Sequence, residues 1–149
     1  MNKPASAVNF YILSDSDLQH RLLFVCRLVE KAFEQQLPTL IITADNEQLQ
    51  TLNRLIWAFK PERFIPHDII NKQLTTPLPS ILLSNHVDAV KTVDFQPQVV
   101  IDLGYDATPL DFPKIMLVAN QYQEILANAR MKYQSYVDNG IKPTVHKIP

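Results

Sequence analysis

Glycine is nearly missing from this sequence: Gly104 and Gly140 are the only two among 149 residues. A loop that cradles phosphates needs several glycines close together, because the backbone must turn tightly and approach the nucleotide with no Cβ in the way. Two glycines set 36 positions apart cannot supply one, so neither a P-loop nor a dinucleotide fingerprint is available. Cysteine is scarcer still. The lone Cys26 excludes an intramolecular disulfide and any multi-cysteine metal site, and its place inside an apolar helical pattern predicts an inert, buried thiol. Neither sign of charge predominates: 14 Lys and Arg against 15 Asp and Glu give a net charge of −1, which argues against broad electrostatic binding to a nucleic-acid backbone. Long apolar runs are missing too. The opening MNKPASAVNF has no stretch of about 7–15 apolar residues such as a signal peptide needs, and nothing approaches the roughly 18 of a membrane-spanning helix. A cytoplasmic protein with no membrane contact is expected.

What is present reads as one α/β domain over residues 1–149, with 1–7 and 141–149 as extended terminal segments. A chain of this length buries roughly 68–70% of its unfolded surface, enough for a core without staples. Val8–Leu13 has the length and composition of a strand, and Ser14-Asp15-Ser16-Asp17 supplies helix-capping residues. From Leu18 to Gln36 the apolar positions Leu18, Leu22, Val25, Val29 and Phe33 recur at helical spacing. Thr39–Thr43 is a nearly continuous apolar strand, of the kind a parallel sheet buries on both faces. Asp45 and Gln48 form a capping pair for a second helix, which closes at Lys60-Pro61. Phe64–Pro79 reads as irregular, and Asn85–Val93 as a short helix or turn. Ser80–Ser84, Gln98–Leu103 and Lys114–Ala119 read as buried strands. A last helix spans Asn120 to Asn139, with Asn120 and Gln123 as cap pair and Gly140 at its left-handed end. The β-α-β-α rhythm predicts a doubly wound, three-layer fold with a mostly parallel sheet.

Most isolated chemical signals have simple structural explanations. Val99-Val100-Ile101-Asp102 imitates the strand with which P-loop ATPases hold magnesium, but without the loop Asp102 is an Asp closing a parallel strand. His20, His67, His86 and His146 show no paired ligand spacing. Ser14 and Ser16 lack nucleophile-elbow glycines and read as helix caps. Were the domain a small enzyme or nucleotide binder using the carboxyl edge of its sheet, Asp102, Asp106 and His67 would be the first suspects. No cofactor and no metal are expected.

Two constellations carry more information. Between Trp57 and His67 stand three aromatics, Trp57, Phe59 and Phe64, with Pro61 and Pro66 stiffening the chain. Prolines reduce the entropy lost on docking, while Trp and Phe supply large contact areas. Phe59 is as well explained by the core; Trp57 and Phe64 are harder to bury together, since a proline-bounded loop runs over the surface. The second constellation is Arg130 and Tyr133, three apart on one face of the last helix, with Lys132 beside them. Arg suits a carboxylate through bidentate hydrogen bonds, and Tyr offers an amphipathic wall, so an acidic peptide end could dock there.

At these two places the sequence resembles the chi subunit family of bacterial DNA polymerase III holoenzyme, over roughly Val8 to Gly140. The most specific part is the W-x-x-x-P-E-x-F-x-P-H pattern, here Trp57, Pro61, Glu62, Phe64, Pro66 and His67. The strand Asn9-Phe10-Tyr11-Ile12-Leu13 and the segment from Ala129 to Tyr136 support it. The resemblance implies a Rossmann-like fold that binds no nucleotide, and a non-catalytic accessory subunit within a DNA-directed polymerase assembly. It implies pairing with the psi subunit of the clamp loader through the surface of Trp57, Phe64 and Pro66, a surface that some members share with a repair helicase. It implies capture of the acidic C-terminal tail of single-stranded-DNA-binding protein by Arg130, Tyr133 and Lys132, with DNA contacted only indirectly at the replication fork. Two basic positions flanking the tail pocket in the family are Leu126 and Gln134 here, which lowers the expected electrostatic attraction. The region Lys72–Val93 matches the family poorly.

Overall fold

The computed structural model describes residues 7–149. The extended segment expected at 1–7 lies outside them except for Ala7, which opens the first strand. In chain order the elements are β1 (Ala7–Leu13), α1 (Leu18–Glu34), β2 (Thr39–Ile42), α2 (Asn46–Ala58), β3 (His67–Ile69), β4 (Ile81–Ser84), β5 (Val99–Asp102), β6 (Lys114–Ala119), α3 (Gln123–Asp138) and β7 (Thr144–Ile148). The seven strands form one sheet in the order β3-β4-β2-β5-β6-β1-β7, and every pairing is parallel.

Helices cover both faces. On one face, α1 and α2 bury Val25, Cys26, Val29, Leu52 and Ile56 against Ile41, Leu83 and Ile101. On the other, α3 packs Ala129 and Tyr136 over Phe10, Ile115 and Leu117. Beside it a short 3-10 helix at Val87–Thr92 brings Val90 onto Leu40, Leu82 and Val100. The distribution follows from handedness. The crossovers through α1 and α2 run one way along the sheet and that through α3 runs the other way, so right-handed connections place them on opposite faces.

Local chemistry sets the helix ends. Asp17, rather than either serine, caps α1: its carboxylate accepts from the N–H groups of Gln19 at 2.8 Å and His20 at 3.1 Å. Asp45 accepts from the Gln48 N–H at 2.8 Å, and the Gln48 side chain returns a bond to the Ala44 N–H, one residue before the cap. The expected Asn120–Gln123 cap of α3 is corrected. The helix starts at Gln123, Tyr122 occupies the cap position with no side-chain bond, and buried Asn120 does other work. Its amide donates to the Asp17 carbonyl at 3.2 Å and accepts from the Tyr122 N–H at 3.0 Å, tying the starts of α1 and α3 together. Gly140, at φ 82, ends α3 as expected, with the Ile141 N–H donating back to the Tyr136 carbonyl at 2.9 Å. With glycine so scarce, two other left-handed positions fall to residues with side chains, Gln36 at φ 58 and Phe64 at φ 44.

Two strands escape the sequence pattern. β3, only three residues long, is too short for a periodic signal and lies within the stretch read as irregular. β7 shows that the tail 141–149 is extended but not free: Thr144–Ile148 pairs along β1 from Asn9 to Leu13. Its side chains are mostly exposed, so an apolar run does not announce it.

Cys26 is fully buried beneath α1, and burial pushes its thiol up to about 12. The folded protein is therefore expected to resist a thiol reagent at neutral pH. Reaction should appear only as denaturant unfolds the chain, in step with loss of helical circular dichroism.

Candidate functional site

α2 ends at Ala58, where Pro61 opens a one-turn 3-10 helix through Arg63. The next residue, Phe64, takes the left-handed conformation, which costs a residue of this kind about 1–3 kcal/mol. That strain turns Phe64 outward, 69% exposed, while the neighbouring Ile65 is 1% exposed and belongs to the core. Trp57, 40% exposed, lies with its ring centroid 5.3 Å from that of Phe64 and 4.1 Å from that of His67. His67 is the fastener. Buried beneath Trp57, it sets Nδ1 2.8 Å from the Ile65 carbonyl and Nε2 2.9 Å from the Asn53 carbonyl, joining the loop to α2. Pro66 is half-buried between them, and Phe59 is half-buried against the core.

An ion-pair network missed at the level of sequence holds the outer side of this loop. Glu30 of α1 receives Lys60 at 3.1 Å and Arg63 Nε at 3.1 Å, and Arg63 also pairs with Glu34. The available signal was Glu30 and Glu34 four apart on α1, but their partners lie about 30 residues on, beyond any local rule. Isolated surface pairs contribute little; here several share one loop and restrict its geometry.

On the other face of the sheet, Arg130 is exposed and makes no ion pair among the described residues. Tyr133 is half-buried, edge-on to Phe10 with centroids 5.7 Å apart, and lines a groove with Gln134, Val137, Ile141 and Lys142. Lys142, an exposed cation just past α3, was not among the expected residues. Gln134 donates to Asp138 at 2.8 Å. Leu126 is partly buried.

Lys132 requires a correction. It is 3% exposed and points into the sheet, where its ammonium lies 3.1–3.2 Å from both oxygens of Asp102 and also donates to the Gly104 carbonyl. Its cation is therefore not beside Arg130 on the outer face. Asp102 has no exposure at all and accepts the Gly104 N–H at 2.9 Å. Burial pushes the Asp102 carboxyl up and the Lys132 ammonium down, while their mutual attraction opposes both shifts. A Cβ on Gly104 would stand 3.2 Å from Ile42 Cγ2 and 3.5 Å from Asp102 Oδ1, so this close approach favours glycine.

Asp102, Asp106 and His67 do not converge. His67 lies opposite Ile81 of β4, which aligns through Thr39 with Val99 of β5. Three inter-strand spacings, about 14 Å in all, and three residues of register separate it from Asp102. Asp106 is exposed. The other histidines are also dispersed: His20 pairs with Asp15 at 3.0 Å, and His146 stacks on Tyr11 at 4.8 Å. Among the described residues no cluster of three or more His, Cys, Asp or Glu could hold a metal, and no helix is long and apolar enough to cross a membrane.

Residues 6–144 match the family described as DNA polymerase III chi subunit, HolC. A curated relative, DNA polymerase III subunit chi of Pseudomonas aeruginosa, is 28% identical over 147 residues, spanning 95% of this chain and 96% of the relative.

Removing one partner of a buried ion pair leaves an uncompensated charge in the interior. Asp102→Ala is therefore expected to lower the unfolding free energy by about 3–5 kcal/mol. The double replacement Asp102→Leu with Lys132→Met should recover most of that loss in urea denaturation.

Proposed function

Since the chain belongs to the DNA polymerase III chi subunit family, and so to the accessory subunits of that polymerase assembly, we propose that it serves there as a protein–protein adaptor rather than a catalyst. Its aromatic surface, Trp57, Phe64 and Pro66, engages the psi subunit of the clamp loader or, in its place, a repair helicase. The α3 surface, Arg130 and Tyr133, takes the acidic C-terminal tail of single-stranded-DNA-binding protein, with Arg130 on the terminal carboxylate. DNA is reached only through that partner, at the replication fork in the bacterial cytoplasm.

The observation that carries this reading is the preorganised pair Trp57 and Phe64. Two large apolar rings are held in water by a strained backbone, a buried histidine and an ion-pair network. Exposing such rings is unfavourable by the hydrophobic effect unless a partner covers them, and rigid anchors lose little entropy on docking. The reading of α3 rests on an exposed Arg that makes no ion pair among the described residues, on the same helix face as a half-buried Tyr, which suits recognition of a carboxylate-ended peptide. With Lys132 withdrawn into the sheet, Lys142 is the cation that lines the groove beside Tyr133.

A peptide copying the acidic tail should bind the protein in calorimetry. Arg130→Ala should weaken it by about 1.5–3 kcal/mol, and Lys142→Ala by a smaller amount. Tail binding that survives Arg130→Ala unchanged would put the pocket elsewhere. Trp57→Ala and Phe64→Ala should impair capture of psi while sparing the tail; equal loss of both partners would contradict two separate surfaces.

A further inference from the structure

The carboxyl edge of the sheet holds a crevice of about 400 Å³ that neither docking surface uses. It opens where α1 leaves β1 over one face and α3 leaves β6 over the other, the position at which open α/β sheets take ligands. Its volume falls within the roughly 300–1,000 Å³ of small-molecule sites. Leu18, Leu22 and Ile125 supply apolar wall, and Tyr105 and Tyr122, 65% and 42% exposed, stand at its margin.

Arg21 reaches this crevice from α1 and is 92% buried, being 8% exposed. Of the five donors of a guanidinium, Nε–H donates to the Val118 carbonyl at 2.9 Å. The other four have no hydrogen-bond partner among the described residues. No fully buried polar side-chain atom of those residues lacks a partner, so these donors open onto the crevice. Burial lowers the guanidinium to about 10, and it remains a cation at neutral pH. Lys132 and Asp102 are near enough for their charges to be felt at Arg21, but they pair with each other, and Arg21 has no ion-pair partner of its own among the described residues. Within that buried group of three, one positive charge is in excess, and it belongs to the residue that reaches the crevice, Arg21.

A second feature agrees. α3 begins here with no side-chain cap, and Glu124 and Ile125 of its first turn line the same space. Uncapped first-turn N–H groups and the positive end of the helix favour an anion. The margin sets a limit on charge, because the carboxylates of Asp45, Glu47 and Glu124 surround the opening. Asp45 is occupied as the cap of α2; the other two repel a polyanion. Without a glycine-rich loop, nothing can cradle a pyrophosphate.

We propose that the crevice is a binding site for a small oxyanion of one or two charges carried on an aromatic ring, a carboxylate or a monophosphate ester, with the oxyanion on the free donors of Arg21 and the ring beside Tyr105 and Tyr122. A single guanidinium fork matches such an oxyanion in two parallel bonds. The tyrosine rings provide the apolar contact area, and the carboxylate margin discriminates against nucleoside triphosphates.

Phenyl phosphate titrated into the full-length ¹⁵N-labelled protein tests this directly. Saturable shifts are expected at the amides of Gly104, Glu124 and Ile125, with those of Arg130 and Gln134 unmoved. Phenol, which keeps the ring and loses the anion, and ATP, which has too much charge, should each bind at least about tenfold more weakly. Arg21→Met should cost about tenfold or more. Tyr122→Ala, at an exposed position, should cost roughly threefold and keeps the test decisive if Arg21→Met does not fold. Shifts that never saturate, shifts gathered around Arg130 and Lys142, or equal binding of phenol and phenyl phosphate would each overturn the assignment.

Discussion

A sheet in which every strand is parallel cannot be closed by hairpins. Each strand must return through a crossover, and each crossover lays a helix or a long loop on one face or the other. In this protein that constraint explains the runs of buried residues in β2, β4 and β5, which have no polar side to turn to water. It also explains why α1 and α2 lie on one face and α3 on the other. Because the direction of travel differs between β1 and β6, the helix beginnings diverge at the carboxyl edge and leave space between them. Asn120, bridging the starts of α1 and α3, joins the margins of that space.

Scarcity of glycine has consequences beyond the missing phosphate loop. Left-handed turns still have to be made, and Phe64 makes one at an energetic cost. The cost is borne because the surrounding loop is over-determined: Pro61 shapes its entry, Ile65 is drawn into the core, and the buried His67 ring is lodged between carbonyls of two different segments. A glycine at the same place would relieve the strain but carry no ring to present. The aromatic surface is therefore rigid for the same reason that the loop is strained, and this suits a chain whose family serves a polymerase assembly as an accessory subunit.

The charges are arranged unequally. Most lie on the surface, where water screens them, and the chain as a whole is nearly neutral. Beneath α3, Asp102 and Lys132 form a fully buried pair with Arg21 close enough to feel it. Such a pair gains little net stability over an apolar one, since desolvation offsets attraction. Its geometric effect is definite: it draws Lys132 inward, so that the outer face of α3 presents Arg130 while Tyr133 packs its edge on Phe10.

The residues alone determined the α/β class, the buried strands, the three helices and the aromatic stretch from Trp57 to His67, because apolar periodicity, capping residues and prolines act over a few positions and can be read locally. Only the tertiary structure decided what depends on distant partners. β7 became a strand because the edge of β1, over a hundred residues earlier, offered hydrogen bonds that its own exposed pattern does not announce. Lys132 stands two residues from Arg130 in sequence, but two steps along a helix turn a side chain by about 200°, and Asp102 waiting beneath α3 made the inward position the stable one. Glu30 and Glu34 found Lys60 and Arg63 for the same reason: ion pairs are chosen by proximity in space, and the fold brought those four together.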